Sequence, residues 1–151
     1  MPLASLDHIR SRVAEEVGAS SWIAIDQPRI DSFADATEDR QFIHVDPDTA
    51  AQTPFGGTVA HGFLTLSLLS RMGAEAMLVP EGAKMVVNYG LNRVRFLSPV
   101  PAGSRVRGRF RLDSVEEKAP GQILMLHSVT VEIEGIEKPA LTAEWLGLVF
   151  V

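Results

Sequence analysis

Two hydrophobic periods divide the chain: apolar residues recur at helical spacing in the first half and alternate in the second. Leu6, Ile9, Val13 and Val17 fall three or four apart and Gly18 ends the pattern, which predicts an amphipathic N-terminal helix. Trp22 to Ile25 is a short apolar run suited to an edge strand. Asp26 reads as the N-cap of a helix that carries Ile30, Phe33 and Ala34 on one face and frays near Thr37-Glu38-Asp39. Asp46-Pro47 combines a cap with a proline at the first helical position, opening a short helix through Ala51. Pro54 and Gly56-Gly57 form a loop. A long helix is then predicted from about Ala60 to Met77, with Phe63, Leu64, Leu66, Leu68, Leu69 and Met72 covering most of its circumference. A helix apolar nearly all round is expected to be buried.

Beyond this helix the period becomes two. Val106, Gly108, Phe110 and Leu112 alternate with Arg107, Arg109, Arg111 and Asp113, as in a strand with one wet face. Ala119-Pro120-Gly121 signals a turn. Ile123, Met125, His127, Val129, Val131 and Ile133 alternate again until Glu134-Gly135 breaks the run, and Leu141 to Val151 is a final strand. With Lys84 to Phe96, four long strands follow one another through short connections, which make antiparallel pairs. The expected fold is α+β: a curled antiparallel sheet wrapped around a long central helix, the hot-dog architecture, in a single domain over residues 1–151. Such a sheet leaves an edge, and pairing two edges across a homodimer is the simple way to cover it.

Composition narrows the function classes. Of the 151 residues 46% are apolar, too many for a disordered chain and enough for a substantial core. The net charge is −5 and the basic residues form no run, which argues against nucleic acid as partner. The absence of cysteine excludes disulfides, a thiol nucleophile and cysteine-ligated zinc. Met1 to Gly18 carries charges throughout and does not read as a secretory signal. The longest apolar segment, Gly62 to Leu69, is too short to span a bilayer. A cytoplasmic protein without membrane attachment is the expectation.

The most informative stretch runs from Phe33 to Pro47. Asp39 and His44 lie five residues apart where a helix gives way to a loop. A carboxylate and an imidazole that hold one water between them can take a proton from it and return one to a substrate. The partially negative C-terminal end of a helix disfavours the Asp39 anion and strengthens it as a base, and histidine exchanges protons near neutrality. At the start of the long helix, Ala60-His61-Gly62 offers free backbone N–H groups that can stabilise a developing oxyanion, and Gly62 permits close approach.

These residues resemble a known family. Asp39-Arg40-Gln41-Phe42-Ile43-His44 sits where MaoC-like (R)-specific enoyl-CoA hydratases carry Gly-Asp-x-Asn-Pro-x-His, and Ala60-His61-Gly62-Phe63 matches their Ala-His-Gly-Met step. Asn88 to Phe96 and Pro99 to Ser104 match the strand and turn that follow. The likeness covers most of the chain in the right order. It is strongest to the nodulation protein N branch, in which Ile-His-Val-Asp and Pro-Phe-Gly-Gly are typical. The resemblance implies water addition to a trans-2-enoyl-CoA, or the reverse dehydration of a 3-hydroxyacyl-CoA. By it, Asp39 and His44 activate the water and the Gly62 N–H polarises the thioester carbonyl. Ala60, His61 and Gln41 would line the substrate. Three positions depart from the pattern: Glu38 replaces the motif glycine, and Gln41-Phe42 replaces Asn-Pro. Gln41 keeps an amide that can orient the loop. Glu38 removes backbone freedom, so a different loop path is expected.

Plainer readings apply elsewhere. His61 reads as an N-cap or packing residue rather than a catalytic one, His127 as a hydrogen-bonded core histidine, and His8 as a surface residue. Arg93, with Arg95 and Arg105, is a candidate for the phosphates of CoA, although arginines that alternate on a strand usually mark its solvated face. Asp46 and Asp48 near His44 do not amount to a metal site, because Asp46 is already explained as a cap. No Gly-x-Ser-x-Gly elbow and no phosphate-binding glycine loop occurs, and no cofactor is expected. Two other functions fit the same fold: an acyl-CoA thioesterase, or a non-catalytic acyl-thioester binding protein.

Overall fold

The computed structural model describes residues 1–151. In chain order its elements are β1 (Leu3–Ala4), α1 (Leu6–Ser11), β2 (Glu16–Ala19), β3 (Ile23–Ile25), α2 (Gln27–Thr37), α3 (Phe42–Val45) and α4 (Pro47–Ala50). They continue with α5 (Gly62–Ser67), α6 (Leu69–Ala76), β4 (Val79–Pro80), β5 (Met85–Phe96), β6 (Ser104–Ala119), β7 (Gln122–Ile133) and β8 (Ile136–Phe150). No helix is long and apolar enough to cross a membrane.

One antiparallel sheet in the order β2-β6-β7-β8-β5 carries the fold, and β3 pairs with β6 beyond the end of β2. Turns at Gly121 and Gly135, both with positive φ, join β6 to β7 and β7 to β8 as neighbours. β5 pairs with β8 rather than with β6, so it lies at the far edge of the sheet. The chain must therefore cross over between these two consecutive strands, because the curl of the sheet leaves the free edge at β8. The inward-facing residues of β7 are all buried: Ile123, Met125, His127, Val129, Val131 and Ile133. Helices α5 and α6 lie against this face, and Met72, Leu69 and Leu64 interlock with Phe110, Val106 and Leu141 in the main core. Each such side chain contributes about 1.5–3 kcal/mol of burial. A smaller cluster of Ile9, Val79, Leu112, Ile123, Met125 and Val149 closes the other end beneath α1.

The outer face of the sheet is wet, as its arginines suggested. Arg105 pairs with Glu134, Arg107 with Glu132, Arg109 with Glu16, and Arg111 with Asp113. Exposed pairs of this kind are worth roughly 0–1 kcal/mol each.

Four expectations are corrected. The N-terminal helix ends at Ser11, not at Val17. Ala14 turns the backbone into the left-handed region (φ 72°), and Val17 enters β2, where strand pairing to β6 replaces helical hydrogen bonds. Gly18 serves close packing rather than a helix stop, since a Cβ there would lie 2.6 Å from the Ala76 carbonyl oxygen. The central helix is interrupted at Leu68. Ser67 Oγ donates to the Phe63 carbonyl one turn back (2.7 Å), a bond that bends helices. Nor is this helix buried all round in the single chain, because Phe63 is 68% exposed and one side of the helix remains open.

His127 lies in the core as expected but without a hydrogen bond: neither ring nitrogen has a partner. Burial pushes its pKa down to about 4, with a small opposing pull from Asp113. An unfolded chain binds this proton near the ordinary value of 6.5 and the folded chain only near 4. Acid therefore favours unfolding: a contribution of about 3 kcal/mol, complete above the unfolded value, is lost as pH falls from 6.5 towards 4. His127→Leu should flatten this dependence, read as the urea midpoint at about pH 7.5 and about pH 5. An unchanged slope in the variant would exclude His127 as its source.

Candidate functional site

The site forms where α2 ends and α5 begins. Asp26 caps α2 by accepting from the Arg29 N–H, as the sequence predicts. At the other end Glu38 takes the left-handed conformation (φ 61°, ψ 11°), which glycine adopts freely and other residues adopt at about 1–2 kcal/mol. Glu38 therefore holds the backbone in the conformation that favours glycine. Asp39 follows directly, exposed and just past the helix end.

His44 reaches the same place on α3, a single helical turn not anticipated from the sequence. It is buried, and its backbone is held from both sides. Its N–H donates to the Gln41 carbonyl (2.9 Å), and the His44 carbonyl accepts from Gln27 Nε2–H (2.7 Å). Thr58 in turn donates its hydroxyl to Gln27 Oε1, so Gln27 ties the start of α2 to the loop before α5. Sequence reasoning missed this clamp, since its three members are separated by 17 and 31 positions and share no motif. Asp46 caps α4 by accepting from Thr49, in keeping with the structural role expected of it.

The His44 ring donates Nδ1–H to the Val59 carbonyl (2.6 Å). A carbonyl can only accept, so the proton of the neutral ring sits on Nδ1 and the Nε2 lone pair is free. Burial holds the His44 pKa below the ordinary value. The Val59 hydrogen bond raises it in part, neighbouring His61 lowers it, and Asp39 raises it. His44 is thus an unprotonated base at neutral pH.

His61 occupies the N-cap position of α5, but its side chain caps nothing. It stacks on His44 with ring centroids 3.7 Å apart at 24°, and donates Nε2–H to the Asp39 carbonyl (2.9 Å). One nitrogen or oxygen from each of Asp39, His44 and His61 falls within 4.8 Å of the others. Stacked imidazoles send their in-plane lone pairs along nearly parallel lines, which does not suit convergence on one tetrahedral cation. Acid–base work fits this arrangement better.

Gly62 opens α5, and the N–H groups of Gly62, Phe63 and Leu64 donate to no protein acceptor. A Cβ at Gly62 would meet the Phe96 ring at 2.9 Å, so only glycine fits beneath that aromatic. A cavity of about 200 Å³ adjoins it, lined by Ala60, Gly62, Thr65, Phe96 and Ser98 among others. A second hollow of about 300 Å³ follows the open side of the helix between Leu66, Ser70, Asn88, Leu91 and Trp145. Asp39, His44, Ala60, His61 and Gly62 are thus gathered in one region. Gln41 borders it, exposed and with its carbonyl on the His44 N–H. Arg93 is not brought to it: it lies 3.8 Å from Glu144 beside Arg95, Thr130 and Thr142, on the sheet face opposite the helix.

Fold and site together define a hot-dog fold in which Asp39 and His44 lie beside the N-terminus of the central helix. The profile of the MaoC like domain matches residues 8–134, and the chain belongs to that family of dehydratases. It is 53% identical over 146 residues to nodulation protein N of Rhizobium leguminosarum bv. viciae, covering 96% of this chain and 91% of the relative. Identity to 3-hydroxyacyl-thioester dehydratase Z of Mycobacterium tuberculosis is 49% over 140 residues, with 93% and 92% covered. Among solved structures, an (R)-hydratase from A. caviae involved in PHA biosynthesis superposes with a TM-score of 0.72 at 25% identity, covering 87% of this chain and 95% of that one.

Nitrogen-detected NMR of the imidazoles should find His44 protonated on Nδ1 at neutral pH and titrating below the ordinary 6.5. A proton on Nε2 would contradict the assignment of that nitrogen as the free base.

Proposed function

We propose that this chain catalyses the reversible hydration of a trans-2-enoyl thioester of CoA to the (R)-3-hydroxyacyl thioester, in fatty-acyl metabolism. The observation that carries this reading is the free Nε2 of His44 beside the Asp39 carboxylate, next to unpartnered N–H groups at Gly62. In the hydration direction a water held by Asp39 and His44 gives a proton to the pair as its oxygen bonds to C3. The C2–C3 π pair moves towards C1, and the charge that builds on the thioester oxygen is met by the Gly62 N–H. The pair then returns one proton to C2. Dehydration retraces these steps. Ala60, His61 and Gln41 border the reacting groups, and the acyl chain runs into the hollow along the open side of α5 and α6. The relatives named for thioester dehydration and for (R)-hydration support both the reaction and its stereochemistry.

The same reading includes a homodimer. Edge strand β5 exposes Met85, Tyr89, Leu91 and Phe96, and Phe63 of α5 stands exposed with its ring centroid 5.9 Å from that of Phe96. Strand pairing of two β5 edges would cover both the free hydrogen-bonding groups and these side chains.

Crotonyl-CoA should lose its conjugated absorbance without release of thiol, giving the (R)-3-hydroxy product on chiral analysis. Asp39→Asn and His44→Ala should each lower turnover by at least about 100-fold while remaining folded. Free CoA released from a saturated acyl-CoA, and abolished by Asp39→Asn, would instead mark a thioesterase. Light scattering should give twice the chain mass, and Leu91→Arg should shift it towards the monomer. A wild-type chain that is monomeric and fully active would remove the dimer from the reading.

A further inference from the structure

His61 makes the only hydrogen bond that Asp39 has, by main chain or side chain. The bond spans 22 positions and fastens an exposed loop to a residue that is 3% exposed. The same ring lies flat against His44, with Phe33 of α2 on it at 5.1 Å and 54°. Its Nδ1 is buried and has no partner. A buried, unpaired polar atom costs about 1–3 kcal/mol, and an aromatic hydrocarbon of similar shape would pack between Phe33 and His44 without that penalty. Packing alone therefore does not account for an imidazole here. What the imidazole adds is a donor on Nε2, directed at the residue before the Asp39–Arg40 peptide bond.

We infer that His61 is a positioning residue: one face supports the His44 ring while its Nε2–H holds the Asp39 backbone, fixing the two acid–base groups relative to each other. This rests on the assignment of Asp39 and His44 in the proposed reaction. Neither group has another anchor to its counterpart. His44 is set by Val59, Gln41 and Gln27, none of which hydrogen-bonds to Asp39. Asp39 follows the left-handed Glu38 on a stretch whose one other backbone bond is Arg40 N–H to the Glu38 carbonyl (3.2 Å). Without the His61 bond the Asp39 backbone loses its one tie to the segment that supports the His44 ring. Misplacement of about 1 Å lowers a rate by about 100-fold.

Two substitutions separate the two contacts. His61→Phe keeps a flat ring against His44 and removes the donor, whereas His61→Gln keeps an amide N–H at similar reach and removes the ring. With crotonyl-CoA as probe, His61→Phe should lower kcat by about 100-fold with KM little changed, and His61→Gln should recover most of the loss. Rescue by His61→Gln, which restores a donor but no ring, supplies a readout that packing would not move, and the pH profile accompanies it. The groups facing the His44 ring are His61, the Asp39 carboxylate and the Val59 carbonyl. Loss of the His61 imidazole removes an influence that lowers the His44 pKa, so the acid limb of kcat should shift to higher pH in both variants. Full kcat in a folded His61→Phe, with Asp39→Asn inactive, would overturn the inference and leave the reaction standing. If His61→Phe does not fold, His61→Gln decides: near wild-type kcat supports the positioning bond, and loss as deep as that of Asp39→Asn overturns it. Turnover that survives both Asp39→Asn and His44→Ala would instead remove the reaction assigned to the pair.

Discussion

Burial of the α5–α6 helix in the hollow of the curled sheet is the constraint on which the rest of the molecule depends. It supplies the inner surface of β6, β7 and β8 with apolar partners, and it fixes where the start of the helix must lie. The candidate site collects at that start. Gly62 passes under Phe96 at a distance only glycine tolerates, and Val59 and His61, just upstream, provide the hydrogen bonds that orient His44 and Asp39. Loss of the helix packing would therefore disperse the site as well as the core.

The site itself is assembled from two short segments that approach from different directions. The α2 segment arrives through a left-handed residue at Glu38, and the α5 segment through three unsatisfied N–H groups. Backbone strain and free donors concentrate at functional sites. Here both occur within a few residues of the buried imidazole stack, whereas the ion pairs on the outer sheet face belong to solvation. That contrast, more than the count of charged residues, separates Asp39 and His44 from the many arginines and glutamates of the strands.

Much of the fold was readable from local pattern. The caps at Asp26 and Asp46, the turns at Gly121 and Gly135, and the unbroken alternation of β7 each depend on residues within a few positions of one another. The failures share the opposite property. The spacing of Leu6 to Val17 is helical, yet Val17 is claimed by pairing with β6, more than ninety positions away. The apolar circumference of the central helix said nothing of the open side at Phe63, and the order of the strands did not show β5 crossing to the far edge. His127 has the alternation of a core residue, but its lack of any partner is a property of packing alone.

The candidate site divides in the same way. The sequence alone determined that Asp39, His44 and Gly62 are present at spacings that a helix end and a helix start can use, because residue type and short-range geometry act through neighbouring bonds. The tertiary structure decided which nitrogen of His44 is free, that Glu38 takes the conformation of a glycine, and that His61 spans the two segments. These depend on Val59, Gln27 and the His61–Asp39 contact, partners brought together by long-range folding. A hydrogen bond between residues 22 positions apart leaves no periodicity in a sequence, and only the packed core brings its two ends to within 3 Å.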